Sequence, residues 1–97
     1  MENQEESEIT FAGFILSLAT TAAVHFGDLA DPGTGEPGEP NIVAAGQMID
    51  IIAMLQDRTK GNLSDVEAKL IDDLLYELRM RFVEAKQGSE KRLIIEP

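Results

Sequence analysis

Three stretches of the chain repeat apolar residues every three or four positions. This spacing places side chains along one face of an α-helix. The pattern predicts helices over about 8–26, 42–60 and 64–86, with no internal repeat among them. The expected fold class is therefore all-α, a three-helix subunit arranged as an antiparallel helical bundle.

Residues that favour helix ends flank the first two segments. Ser7 is placed to cap the first helix, where Glu8 would lie at the positive end of the helix dipole. Gly27 follows the segment and is expected to end it. Asn41 is the expected cap of the second helix, and Gly61 is its expected end.

The third segment opens with Ser64 and has Glu67 three residues later. This spacing is that of a capping box, in which each side chain accepts a hydrogen bond from the other residue's backbone N–H. The helix is expected to stop ahead of Gly88. Ion pairs one helical turn apart should support it, Asp65 with Lys69 and Glu77 with Arg81.

Segment 27–40 carries four glycines and three prolines with acids between them, so it is expected to be a loop. It is too short to link domains, and a chain of 97 residues suits one domain. We therefore expect a disordered acidic N-terminus over 1–8, one helical domain over 9–87, and a C-terminal tail over 88–97.

The first helix has no charged side, because no formal charge occurs between Ile9 and Gly27 when His25 is neutral. A helix that is apolar all round must be covered all round, and two amphipathic helices cannot cover it completely. A chain of this size also has a marginal core, and without cysteines no disulfide can supplement it. The sequence therefore predicts a homodimer or a higher even oligomer.

The flat alanine side of the first helix suits close approach to a second copy. Apolar residues on one flank of the second helix add to this surface. The candidate interface residues are Ala12, Leu16, Ala19, Ala23, Ile51 and Leu55.

The third helix carries a second apolar strip, opposite its core-facing side. It comprises Tyr76, Met80 and Val83, with Arg79 beside them. Three interpretations stay open for this strip: packing between subunits, docking of another protein, and simple exposure of the kind that scattered apolar residues show on any surface.

The formal net charge of −10 argues against nucleic acid and against anionic membranes as partners. The lack of cysteine fits a reducing cytoplasm, and together with the single histidine it argues against a zinc, haem or iron–sulfur site. We expect no cofactor and no metal.

The alternative to a self-associating protein is a membrane-associated one, which would use residues 9–27 as a hydrophobic anchor. The flanks of this segment are acidic rather than basic, and its hydroxyl groups dilute its hydrophobicity. Both features disfavour the anchor.

Most motifs for chemistry have structural explanations. His25 lies where a helix-terminal histidine binds free carbonyl groups. Gly33, Gly35 and Gly38 match a nucleotide-binding spacing but sit among prolines and acids. Asp28 and Asp31 lack the further ligands of a calcium loop, and Ser17, Thr20 and Thr21 are expected to bond to helix carbonyls or across helices. Catalytic residues are therefore not assigned.

Several segments resemble a family of short bacterial proteins, the domain-of-unknown-function family 1844. The resemblance runs from about Phe11 to Glu84, and the loop over 27–40 departs from the family pattern. It rests on Phe14-Ile-Leu-Ser-Leu-Ala19, on Gly27 after His25-Phe26, on Lys60-Gly-Asn-Leu63, and above all on Leu74-Leu-Tyr-Glu-Leu-Arg-Met80. It implies a bacterial source and one small helical domain, and it supplies no activity. The leading hypothesis is a non-enzymatic, self-associating interaction or scaffold module.

Overall fold

A computed structural model describes the backbone of residues 8–95 and the side chains of residues 8–88. Its elements are three helices, α1 (Phe11–Phe26), α2 (Ile42–Arg58) and α3 (Asp65–Ile95), and each packs against the other two. No strand occurs in this part of the chain. The prediction of an all-α, three-helix subunit is confirmed.

Helix α1 begins later than predicted. The side chain of Thr10 caps it and accepts a hydrogen bond from the N–H of Gly13 at 2.9 Å. Glu8 therefore precedes the helix, and the first turn contains no acidic residue, contrary to the expectation. Phe11 is the first residue that packs on the core, whereas Ile9 is almost fully exposed. Packing thus starts the helix at Phe11, and Ser7 lies outside the described residues.

The end of α1 is a Schellman motif, as the position of Gly27 predicted. The N–H of Gly27 donates to the carbonyl of Val24, and that of Asp28 donates to Ala23, both at 2.9 Å. Gly27 has a φ of 85°, in the left-handed region that favours glycine. The chain then leaves α1 in a direction that brings Asp28 next to α3.

The segment over 27–40 is an irregular loop, as predicted, and its two ends are tied together. The N–H of Asn41 donates to the carbonyl of His25 at 2.7 Å. Inside the loop, Asp31 organises a turn, because its carboxylate accepts from the N–H of Gly33 and its carbonyl accepts from that of Gly35. These bonds fix the path of the loop without regular secondary structure.

Helix α2 has the predicted N-cap, since the side chain of Asn41 accepts from the N–H of Ala44 at 3.0 Å. Its last helical residue is Arg58, two positions before the predicted end. The Thr59 hydroxyl donates to the carbonyl of Leu55 at 2.7 Å, and Gly61 adopts a φ of 83° in the turn that follows. The turn therefore begins earlier than the position of Gly61 alone indicates.

Helix α3 begins with the predicted capping box. The N–H of Ser64 donates to Glu67 Oε1 at 2.9 Å, and the N–H of Glu67 donates to Ser64 Oγ at 3.1 Å. The predicted end is wrong, because the helix continues through Gly88 to Ile95. Gly88 does not adopt the positive φ that ends a helix, so no chain reversal occurs there. At 1.5 Å per residue α3 is about 46 Å long, nearly twice the length of α1.

The core lies where the three helices meet and is wholly aliphatic apart from one phenylalanine. Its buried residues are Ile15, Ala22, Phe26, Ala45, Ile49, Ile52, Ile71, Leu75 and Leu78. No polar or charged side chain among the described residues is buried. This small core leaves much of the apolar surface of α1 and α3 only partly covered.

Candidate interaction surface

A groove of about 630 Å³ runs between α1 and α3. Its walls are mostly apolar and include four charged residues. We call it the α1–α3 groove. It is lined by Leu16, Ala19, Thr20, Ala23, Phe26, Asp28, Leu29, Leu74, Tyr76, Glu77, Leu78, Met80, Arg81 and Glu84.

The groove combines small and large apolar side chains. Ala19 and Ala23 of α1 are half-buried and contribute little bulk. Around them, Leu16 is 46% exposed, Met80 is 50% exposed and Tyr76 is 67% exposed. Large exposed side chains therefore stand beside a shallow recess on one surface of the molecule.

One end of the groove is formed by Asp28 and Arg81, which make a bidentate ion pair. The Nε and Nη2 atoms of Arg81 donate to the two carboxylate oxygens of Asp28, each at 2.8 Å. The guanidinium carbon also lies 5.1 Å from the centre of the Phe26 ring, a cation–π distance. These contacts tie the end of α1 to the middle of α3.

The predicted ion pairs within α3 are both wrong. Arg81 pairs with Asp28 rather than with Glu77, because the Schellman motif carries Asp28 to the flank of α3. Lys69 pairs with Asp73, one turn farther along the helix, at 3.0 Å instead of with Asp65. Sequence spacing gave no signal for the pair of Asp28 and Arg81, because these residues lie 53 positions apart.

The ion pair changes the acidity of both its members. Hydrogen bonds from Arg81 lower the pKa of Asp28 below its ordinary value of 3.8, and partial burial opposes this only in part. The same bonds raise the pKa of Arg81 above its ordinary value. Both groups are therefore charged at neutral pH, and the groove keeps a fixed acid–base pair at its end.

The predicted strip on α3 lies directly beside this groove. Tyr76, Arg79, Met80 and Val83, together with Asp72, line a shallow hollow of about 300 Å³. Tyr76 and Met80 line both the hollow and the α1–α3 groove. Two surfaces that the sequence presented separately, the alanine side of α1 and the strip of α3, are therefore neighbours.

The remaining candidate interface residues lie outside the groove. Ala12 is half-buried, and Ile51 is exposed on α2. Leu55 packs against the core, so its side chain is already partly covered within the subunit. Of the six candidates, the groove thus brings together Leu16, Ala19 and Ala23.

The hydroxyl-bearing residues of α1 bond within their own helix. The hydroxyl groups of Ser17, Thr20 and Thr21 donate to the carbonyls of residues three or four positions earlier, at 2.7–3.0 Å. His25 occupies the last turn of α1, as expected, and its bond to a free carbonyl group stays a prediction. Within the described ranges, no three potential ligands from histidine, aspartate and glutamate are close enough to hold a metal ion.

No helix among the described residues is long and apolar enough to cross a bilayer. Helix α1, at 16 residues, spans only about 24 Å. The hydrophobic anchor proposed for residues 9–27 is therefore not supported by a spanning helix among the described residues.

Comparison with protein families matches residues 8–84 to the domain of unknown function DUF1844. This match covers most of the chain, including α1, α2 and most of the part of α3 that packs on the core. The chain belongs to the DUF1844 family. Comparisons with curated proteins and with solved structures gave no match.

Proposed function

We propose that this DUF1844 protein is a non-enzymatic interaction module that forms a homodimer through α3 and the neighbouring α1–α3 groove. The observation that carries the proposal is the continuous exposed apolar surface formed by Leu16, Tyr76 and Met80 around a recess of alanines. Single exposed apolar residues are normal on a monomer, whereas a contiguous patch indicates an interaction surface.

The small size of the core is a second reason to propose that another subunit covers this surface. Few of the side chains over residues 8–88 are buried, and a domain of this length has a marginal core by itself. Disulfide stabilisation is excluded, because the sequence contains no cysteine. Burial of apolar surface between subunits contributes about 25 cal/mol per Å², so a modest interface adds substantially to the stability of such a fold.

The shape of the surface favours a second copy of the same chain. A two-fold interface must be self-complementary, because the same patch faces itself. Here the projecting side chains of Tyr76 and Met80 stand beside the recess at Ala19 and Ala23. One surface thus offers both the projections and the recess that a symmetric dimer requires.

The composition of the patch also suits an interface. Tyrosine, methionine and arginine are enriched at interface cores, and lysine and glutamate are depleted there. Tyr76, Arg79 and Met80 are adjacent on the exposed side of α3, with Val83 completing the strip. The acids Glu77 and Glu84 lie along the groove, where they would form part of a polar rim.

Sedimentation velocity of the full chain at micromolar concentrations tests this proposal. We expect a dimer for the natural sequence. Met80→Glu should raise the dimer dissociation constant at least about tenfold, because it places a charge within the apolar contact.

Val66→Glu is the matched control. It adds the same charge to the same helix, at a residue that is 76% exposed and distant from the strip. Thermal melting checks that both variants fold. A natural chain that stays monomeric, or equal weakening of the dimer by both variants, would refute self-association through this surface.

A further inference from the structure

The exposed side of α3 carries opposite charges two helical turns apart. Asp72 and Arg79 line the same hollow as Tyr76, Met80 and Val83. Seven residues of α-helix separate the two charges by about 10 Å along the axis. The midpoint between them lies next to Tyr76, the most exposed of the three apolar side chains of the strip, at 67%.

We infer that two copies of α3 cross antiparallel at Tyr76, and that Asp72 of each copy forms an ion pair with Arg79 of the other. The inference rests on the proposed homodimer and specifies which residues meet in it. The partner that covers the strip is therefore a second copy of this chain.

Symmetry and spacing lead to this pairing. A two-fold axis that passes near Tyr76, perpendicular to α3, makes the two copies of α3 antiparallel. A residue that lies a given distance before Tyr76 in one copy is then opposite the residue that lies the same distance after Tyr76 in the other copy. Asp72 precedes Tyr76 by about one turn and Arg79 follows it by about one turn. Because seven residues are nearly two full turns, both charges also lie on the same flank of the helix. Each dimer therefore contains two equivalent ion pairs around a contact between the two Tyr76 side chains.

The charges are available for these contacts. Among the described residues, Arg79 makes no ion pair, although Asp50 of α2 lines a hollow with it on the side facing α2. From that same part of the chain, Asp72 accepts one long hydrogen bond, at 3.5 Å, from the Gln56 side chain. Arg81 contrasts with Arg79, because its donors are already occupied by Asp28 within the subunit.

Charge complementarity also explains how a chain of net charge −10 can meet a copy of itself. Long-range repulsion between two such chains opposes association and is screened by salt. The strip is a place where a positive side chain of one copy faces a negative side chain of the other. Like charges placed there instead would be strongly unfavourable, because the contact is partly desolvated.

Charge reversal at both positions provides a sharp test. The variants Arg79→Asp and Asp72→Arg are each expected to raise the homodimer dissociation constant at least about tenfold, since like charges then face each other twice. An equimolar mixture of the two variants should dimerise as the natural chain does, because each mixed dimer again has an acid opposite a base at both positions. Sedimentation velocity measures all three samples, and Arg58→Asp, an exposed charge reversal on α2, is the control.

The outcomes separate this inference from the proposal beneath it. Recovery of the dimer only in the mixture supports the pairing. Two results would overturn the pairing alone. In the first, the natural chain and the single variants all dimerise equally well. In the second, the variants weaken the dimer and mixing them does not restore it. A natural chain that stays monomeric would overturn the proposed function as well, and would leave the strip for a different protein. Circular dichroism of each variant establishes that the helices are intact.

Discussion

Arg81 of α3 holds Asp28, the second residue after α1, with two parallel hydrogen bonds of 2.8 Å. The two residues are 53 positions apart in sequence. The same guanidinium group lies over the ring of Phe26, which is buried in the core. One side chain therefore joins the end of α1, the start of the loop and the middle of α3.

The energy of this ion pair can be measured by a double-mutant cycle with Asp28→Ala and Arg81→Ala in urea denaturation. We expect a coupling free energy of about 0.5–1 kcal/mol, because both side chains remain partly exposed to solvent. Arg81→Ala should destabilise more than Asp28→Ala, since it also removes the contact with Phe26. The exposed pair of Lys69 and Asp73 is the internal comparison and should give no more than about 0.5 kcal/mol. Equal coupling in both cycles would contradict this ranking.

The stabilisation from Asp28 should depend on pH in a defined direction. The pKa of Asp28 is lowered in the folded state by its hydrogen bonds to Arg81, so its stabilising effect is present above the unfolded pKa and is lost as pH falls through the folded pKa. The natural chain should therefore melt at a higher temperature than Asp28→Asn at neutral pH. This difference should shrink below about pH 4 and vanish in stronger acid. Comparing the two chains at each pH cancels the titration of the other acids, and a difference that grew in acid would refute the assignment.

Gly27 should be far less tolerant of substitution than Gly35, although both have positive φ. A side chain in this conformation costs about 1–2 kcal/mol at either position. At Gly27 an added Cβ would also lie 3.3 Å from the carbonyl oxygen of Gly38 and 3.5 Å from Pro40, whereas nothing lies within 4 Å at Gly35. Gly27→Ala should therefore lower the free energy of unfolding by about 1 kcal/mol more than Gly35→Ala. Equal losses in thermal or urea unfolding would show that the loop does not pack on Gly27.

Gly88→Ala should strengthen α3. Gly88 lies inside the helix without a positive φ, and nothing lies within 4 Å of an added Cβ. Alanine favours a helix interior by about 0.8–1 kcal/mol relative to glycine. The variant should show increased helical circular dichroism and slower amide hydrogen exchange around residue 88. A decrease in helicity would indicate instead that the chain turns at this glycine.

Local signals in the sequence were sufficient to predict the three helices and several of their ends. The capping box at Ser64 and the cap at Asn41 depend on hydrogen bonds between residues three positions apart, so their spacing alone reveals them. The stop at Gly27 is similarly local. Gly88 resembles such a stop in sequence, but a glycine ends a helix only where the chain adopts a positive φ, and here the helix continues.

Features that depend on tertiary packing were not predictable from spacing. Thr10, rather than Ser7, caps α1 in the structure, because packing on the core begins at Phe11. Arg81 has a suitable acid one turn away in Glu77, yet it pairs with Asp28, which only the folded chain brings near. The alanines of α1 and the strip of α3 are likewise adjacent only because the two helices pack together. The alanines and the strip could be recognised separately, but not their union into one surface.

The hydrogen bond from Asn41 to His25 has a consequence for changes in chain length. It closes the neck of the 27–40 segment, which makes the segment an Ω-loop whose two ends are bonded directly to each other. Adding residues to such a loop costs little, about 0.6 kcal/mol for each doubling of its length. The exposed junction between Glu36 and Pro37, which lies after the Asp31 turn and before the Gly38 carbonyl that packs at Gly27, is therefore a natural insertion point for a peptide tag or a longer variable segment.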